Sequence, residues 1–230
     1  MLTEAIVRES LRHDLLAAVP SAEAMDEFWV PRSYERADIA VIGPTMDGFE
    51  IKTERDNLKR LPRQAAAYSR LFDHCYVVLA DRHVREAVDI LPSWWGMILI
   101  RGETTPTFEC LREAHVNRDV DPETLVRLLW RDEVHAVLCA LGAPPEPKAG
   151  RFRMWGELLE LVDIEVLKAA VREALIRRDP NLARISSRRF NVKHAIDLFA
   201  RSRDASDVMS LRLASDLVSL VRQCPKRNQR

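Results

Sequence analysis

The 230-residue sequence has no excess of charge of either sign, because 35 Lys and Arg balance 35 Asp and Glu. That balance excludes a uniformly basic coat for gripping nucleic acid, and equally an acidic solubilising tail. Glycine is scarce at seven residues, and with twelve prolines the chain is neither collagen-like nor low-complexity. The four cysteines (Cys75, Cys110, Cys139 and Cys224) are scattered without a CxxC pair. Such spacing fits reduced, buried thiols rather than a disulfide framework. The six histidines form no HExxH or similar ligand spacing, which argues against zinc. No apolar run approaches the roughly 20 residues of a membrane span. Glu4, Arg8, Glu9 and Arg12 also interrupt any secretory-signal layout at the N-terminus. The expectation is a soluble, cytoplasmic protein that does not enter the membrane.

What is present is a 47% hydrophobic composition, enough to bury a substantial core. The charges are also unevenly placed. From Lys148 onward 18 Lys and Arg face 10 Asp and Glu, whereas the preceding residues carry 17 against 25. An acidic first part can hold a cation and a basic second part can meet polyphosphate, solvated helix faces being the plainer alternative.

Hydrophobic spacing predicts a helix over Leu2 to Val19 and short strands at 28–30, 39–42 and 49–52. Turn residues at 43–48 separate the last two. A helix is expected at 62–72, a strand buried on both faces at 75–80, a helix at 84–90 and a strand at 96–100. Asp121-Pro122-Glu123 marks a helix start, read as running through Trp130 to about Leu141, with Trp130 and Trp155 as core anchors. The Pro-rich segment 142–147 reads as a linker. Beyond it the pattern is helical at 154–162, 163–176, 192–200 and 207–222. The reading is an α/β domain followed by an all-α one.

One constellation carries chemistry: Asp38, then Glu50-Ile51-Lys52, then Gln64 and Tyr68. Alternate strand residues share a face, so Glu50 and Lys52 lie together. With Ile42 opposite Gly48, Asp38 falls opposite Lys52 on the same face. Two carboxylates and an ammonium on a core sheet repel and desolvate at a cost that a hard divalent cation would offset. Mg²⁺ prefers oxygen, so Asp38, Glu50 and the Ile51 carbonyl are the expected ligands. Lys52 would assist the attacking water or stabilise charge developing on a phosphate. Gln64 and Tyr68, four apart, share one helix face. Arg55, Lys59, Arg60 and Arg63 form a basic cluster suited to a phosphate backbone, or else a solvated helix face.

Asp38 and Glu50-Ile51-Lys52 at this gap, with Gln64-xxx-Tyr68 on the next helix, resemble the PD-(D/E)XK nuclease superfamily and its QxxxY-bearing branches. Ala37 stands where that motif has Pro. More closely, Arg36-Ala37-Asp38, Gly48-Phe49-Glu50-Ile51-Lys52, Leu61-Pro62-Arg63-Gln64 and Trp94-Trp95-Gly96 are similar to a family of uncharacterised bacterial proteins placed in that superfamily. The resemblance covers about residues 1–115. It implies a restriction-endonuclease-like mixed sheet flanked by helices; beyond it, the helical pattern itself reads as a connecting helix over 116–142 and a helical C-terminal domain over 148–230. It also implies Mg²⁺-dependent hydrolysis of DNA phosphodiesters, with Mn²⁺ as a substitute metal. Asp38, Glu50, Lys52 and Gln64 would be catalytic and Tyr68 supporting. Many members supply a further acid from before the Asp strand, for which Glu27 is preferred over Glu4 and Glu9. The alternatives are a non-catalytic nucleic-acid-binding module that keeps the fold, or an interaction protein that dimerises or meets a partner through its C-terminal helices.

Overall fold

The computed structural model describes residues 2–178, so the helices expected at 192–200 and 207–222 lie outside the described residues. The chain divides into two units, with the break between Asp119 and Val120. The segment expected as a connecting helix therefore belongs, from Val120 onward, with the helices that follow.

The first unit opens with helix α1 (Glu4–Ala18), whose Thr3 side chain caps the first turn at the Ile6 amide. Strands β1 (Glu23–Trp29), β2 (Arg36–Ile42) and β3 (Met46–Lys52) follow, then helix α2 (Leu61–Tyr68) and strand β4 (His74–Leu79). A 3₁₀ turn leads into helix α3 (Val84–Ile90), followed by β5 (Gly96–Arg101) and β6 (Thr107–Arg112). The six strands form one mixed sheet in chain order. β1–β2–β3 and β5–β6 are antiparallel, and β3–β4–β5 are parallel. This is the expected α/β architecture, a mixed sheet flanked by helices and followed by a helical region. Strand β6 was not expected. Its polar alternation, Thr-Phe-Glu-Cys-Leu-Arg, gives a weak signal, and its pairing with β5 supplies what propensity does not.

Parity divides the sheet. Val7, Leu11 and Leu15 of α1 pack with Ile39, Val41, Phe49, Ile51, Tyr76 and Val78 in one buried cluster. The even-numbered residues of β2 and β3 point the other way, where Gln64 and Tyr68 of α2 are buried. Every residue of β3 is buried, so its polar residues lie between covered layers.

The β2–β3 register differs from the expected one. Ile42 pairs with Met46 and Ala40 with Gly48, because Met46 and Asp47 extend the strand instead of belonging to the turn. The loop shortens to Gly43-Pro44-Thr45, closed by Gly43 N–H donating to Thr45 O at 2.9 Å. A shift of two residues keeps every side chain on its face. It does move Asp38 from beside Lys52 to beside Glu50.

The second unit contains α4 (Pro122–Val126), α5 (Arg131–Ala140), α6 (Arg151–Leu161) and α7 (Ile164–Arg177). The single helix expected from Asp121 to Leu141 is broken between α4 and α5. Trp155 Nε1 donates to Leu129 O at 3.2 Å and Arg178 Nη2 to Leu128 O, occupying carbonyls that a continuous helix would use. Glu133 then caps the restart at the Trp130 amide. Trp155 is buried as expected. Trp130 is exposed instead, with the Arg178 guanidinium 4.0 Å above its ring. No helix among the described residues is long and apolar enough to cross a membrane.

Candidate active site

Glu50 stands at the centre, 2% exposed, on the middle strand. Its Oε1 accepts hydrogen bonds from Lys52 Nζ and Gln64 Nε2, and its Oε2 accepts one from the Tyr68 hydroxyl. The same hydroxyl also lies within hydrogen-bond distance of the Arg36 carbonyl on β2, its one proton shared between the two acceptors, so α2 is tied to both strands of the hairpin. A buried carboxylate needs such donors, because desolvation without compensation costs several kcal/mol. The Tyr68 phenol is held strongly in its protonated form by burial and by the Glu50 charge. Tyr68 stacks on buried Trp95, whose indole donates to Ser69 Oγ at 3.3 Å. Trp95 is therefore core.

Asp38 arrives from β2. Its Oδ2 accepts the Ile51 backbone N–H at 2.6 Å, which sets the carboxyl between Glu50 and Lys52 along the strand. Burial first, and the neighbouring Glu50 charge second, push its pKa up from 3.8 to about 7. Thr53, following Lys52, donates from both N and Oγ1 to Asp56 Oδ2 at 2.7 Å, fixing the end of β3.

The other Asp38 oxygen faces a second group. Carboxylate oxygens of Glu4, Glu27 and Asp38 lie within 4.8 Å of one another. Arg8 Nη2 sits among them, bonded to Glu4, 2.6 Å from Glu27 Oε1 and 3.7 Å from Asp38 Oδ1. Glu27 reaches this position through a φ of +51° in β1, in the left-handed region that disfavours side-chain-bearing residues. Both Glu4 and Glu27 therefore join Asp38, where the sequence left a choice. Glu9 is outside this cluster and lines the adjoining groove of about 460 Å³ with Glu4, Arg8, Arg12 and Asp26.

Of the expected ligands Asp38, Glu50 and the Ile51 carbonyl, the two carboxylates already have partners within the protein. Glu50 has both oxygens engaged by side-chain donors, and Ile51 presents its N–H to Asp38. The carboxylates that do gather are Glu4, Glu27 and Asp38, whose oxygens are of the kind hard divalent ions prefer. Sequence reasoning missed Arg8, whose helical spacing from Glu4 is an i, i+4 ion pair like many others.

Of the basic cluster, Arg60 and Arg63 both bond the buried carboxylate of Glu35. Arg60 Nη2 lies at 2.9 Å, Arg63 Nε at 3.0 Å and Arg63 Nη2 at 2.6 Å. Burial would raise the Glu35 pKa, but these bonds outweigh it and hold the carboxyl below its usual range. Arg55 and Lys59 flank them on the loop before α2, with Lys59 exposed.

Comparison with known proteins adds lineage. Protein cII of Enterobacteria phage P4 is 24% identical over 122 residues, covering 53% of this chain and 46% of that protein. The chain thus matches just under half of its relative's length. No solved structure matches. The family described as Bacteriophage P4 protein cII matches residues 5–196, taking in α1, the whole sheet, every residue of the carboxylate site except Glu4, and α4 to α7. The chain belongs to that family.

Proposed function

We propose that this protein is a PD-(D/E)XK-type, metal-dependent nuclease acting on DNA phosphodiesters in the cytoplasm. The observation that carries the reading is a charge imbalance. Glu4, Glu27 and Asp38 bring their carboxylate oxygens together around Arg8, and Glu50, paired with Lys52, adds its charge to Asp38. Carboxylates outnumber the cations paired with them here, and the conflict shows at Asp38, whose pKa is raised to about 7; a divalent cation at this point would relieve it.

Asp38, Glu4 and Glu27 would hold Mg²⁺, or Mn²⁺ in its place. A bound ion supplies a more acidic water and offsets charge on a scissile phosphate. The chain's own residues do the rest. Lys52, held against Glu50, keeps an ammonium beside the reacting phosphate, where it stabilises the developing charge. Glu50, whose oxygens accept from Lys52, Gln64 and Tyr68, orients Lys52. Gln64 and Tyr68 are positioning residues that fix Glu50. The Ile51 amide fixes Asp38.

A second reading is a DNA-binding module without catalysis. Arg8 favours it, since its guanidinium already sits among the three carboxylates that would hold the ion.

Cleavage of linear, nicked, branched and single-stranded DNA with Mg²⁺ or Mn²⁺ tests the two, comparing wild type with Lys52→Ala and Asp38→Asn. Metal-dependent cleavage lost in both variants supports the nuclease. Equal cleavage by all three proteins overturns it, and salt-sensitive binding without cleavage favours the module.

A further inference from the structure

Tyr34 is 98% exposed, at the tip of the loop between β1 and β2. The fold gives it no packing role, and an aromatic ring left in water forgoes the burial that usually retains one. The loop beneath it is firmly built. Val30 N–H donates to Glu35 O at 3.1 Å, Ser33 Oγ donates to Val30 O at 2.9 Å and Glu35 N–H donates to Ser33 Oγ at 3.1 Å. Glu35, next to Tyr34, is the buried carboxylate that binds Arg60 and Arg63. Those side chains remain 62% and 71% exposed. Two guanidiniums against one carboxylate leave a net positive charge at the residue that follows Tyr34 in the chain. Arg63 immediately precedes Gln64, which bonds Glu50, so the arginine pair and the site share the first turn of α2.

We infer that Tyr34, Arg60 and Arg63 form a binding platform for single-stranded nucleic acid, with Tyr34 stacking on an unpaired base and the arginines meeting the flanking phosphates. The inference rests on the DNA-directed reading above and adds a strand class to it. A duplex keeps its bases stacked inward, whereas an unpaired base offers its face to an exposed ring. Arginine suits the flank because its planar fork binds phosphate oxygens in pairs. The braced loop also lowers the conformational entropy lost on binding.

The test is fluorescence anisotropy with labelled oligothymidylate and with a duplex of equal length, in EDTA so that neither metal nor cleavage enters. One stacked base is worth about 1–3 kcal/mol, so Tyr34→Ala should weaken oligothymidylate binding roughly five- to hundredfold. Tyr34→Phe should bind like wild type, and duplex binding should change little in either variant. Arg63→Gln should weaken both DNA forms. Tyr34 lies in solvent, so an unchanged thermal melt will verify that folding is intact. Unaltered oligothymidylate binding by Tyr34→Ala overturns the inference, as do equal losses on both DNA forms or a wild type that binds neither. A Tyr34→Ala effect confined to self-association in sedimentation also overturns it, assigning the loop to a protein interface. Failure of the nuclease reading appears separately, as absence of metal-dependent cleavage while the stacking effect persists.

Discussion

Asp38 carries the conflict from which the site's chemistry follows. Its pKa in the folded protein, about 7, exceeds the ordinary 3.8. Between those values the folded chain holds a proton that the unfolded chain releases, so stability falls as pH rises through this window and stays low above it. Asp38→Asn keeps an acceptor for the Ile51 amide and removes the titration. In EDTA, its advantage over wild type should grow from nothing near pH 4 to on the order of 3 kcal/mol at pH 8. Parallel melting profiles across that range would contradict the assignment. Mg²⁺ should raise the wild-type melting temperature at pH 8 and leave Asp38→Asn unmoved. Arg8→Ala removes the cation competing for Glu4, Glu27 and Asp38, so calorimetry should find Mn²⁺ bound roughly tenfold more tightly. Weaker or unchanged binding would make Arg8 a passive neighbour. Tyr68→Phe deletes the donor to Glu50 Oε2 and to the Arg36 carbonyl. A loss of about 1–3 kcal/mol in chemical denaturation is expected from the unsatisfied buried oxygens.

At the scale of elements, the site depends on α2 lying close against the β2–β3 hairpin. That approach is made possible at Gly48, where an added Cβ would lie 2.5 Å from Phe72 Cδ2. A rigid ring cannot yield as a flexible side chain would, so Phe72 and the end of α2 would have to move. Gly48→Ala should destabilise the fold by about 1–3 kcal/mol, read as a lowered melting temperature. It should also reduce any metal-dependent cleavage by shifting Gln64 and Tyr68 from Glu50. Full stability in this variant would mean that the helix–sheet spacing is looser than the contact implies. The register of the hairpin belongs to the same scale. Alternation put Asp38, Glu50 and Lys52 on one face from sequence alone, but turn residues 43–48 were compatible with more than one loop length. Burial of Met46 and Asp47 decided it, with Asp47 Oδ1 2.8 Å from His74 Nδ1 inside the sheet.

For the whole molecule, zero net charge confines any DNA contact to a local patch. Arg60 and Arg63, partly offset by Glu35, together with Arg55 and Lys59 predict a log–log salt slope no steeper than about −3 for a single strand. That value lies well short of the steep dependence of a protein coated in positive charge. Anisotropy titrations across a salt series measure it directly. A slope near zero would exclude phosphate contacts, and a much steeper one would place the grip on the basic residues from Lys148 onward.

Local features are legible in the sequence: the α1 stripe, the apolar run of β4, the Asp121 cap, and the parity that puts Asp38, Glu50 and Lys52 together. These follow from periodicity and short-range hydrogen bonding, which neighbours along the chain express directly. The sequence marked Gln64 and Tyr68 as a pair without specifying that both bind Glu50. What depends on residues far apart in the chain came from the packing of elements. It brought Glu4 and Glu27 together at Asp38, placed Arg8 among them, and joined Glu35 to Arg60 and Arg63. It also left Trp130 and Tyr34 in solvent. An isolated acid, arginine or aromatic has the same local signature whether it ends in an ion pair, a ligand set or water. The difference arises only when α1, β1 and α2 dock on the sheet and fix the distances between their charges.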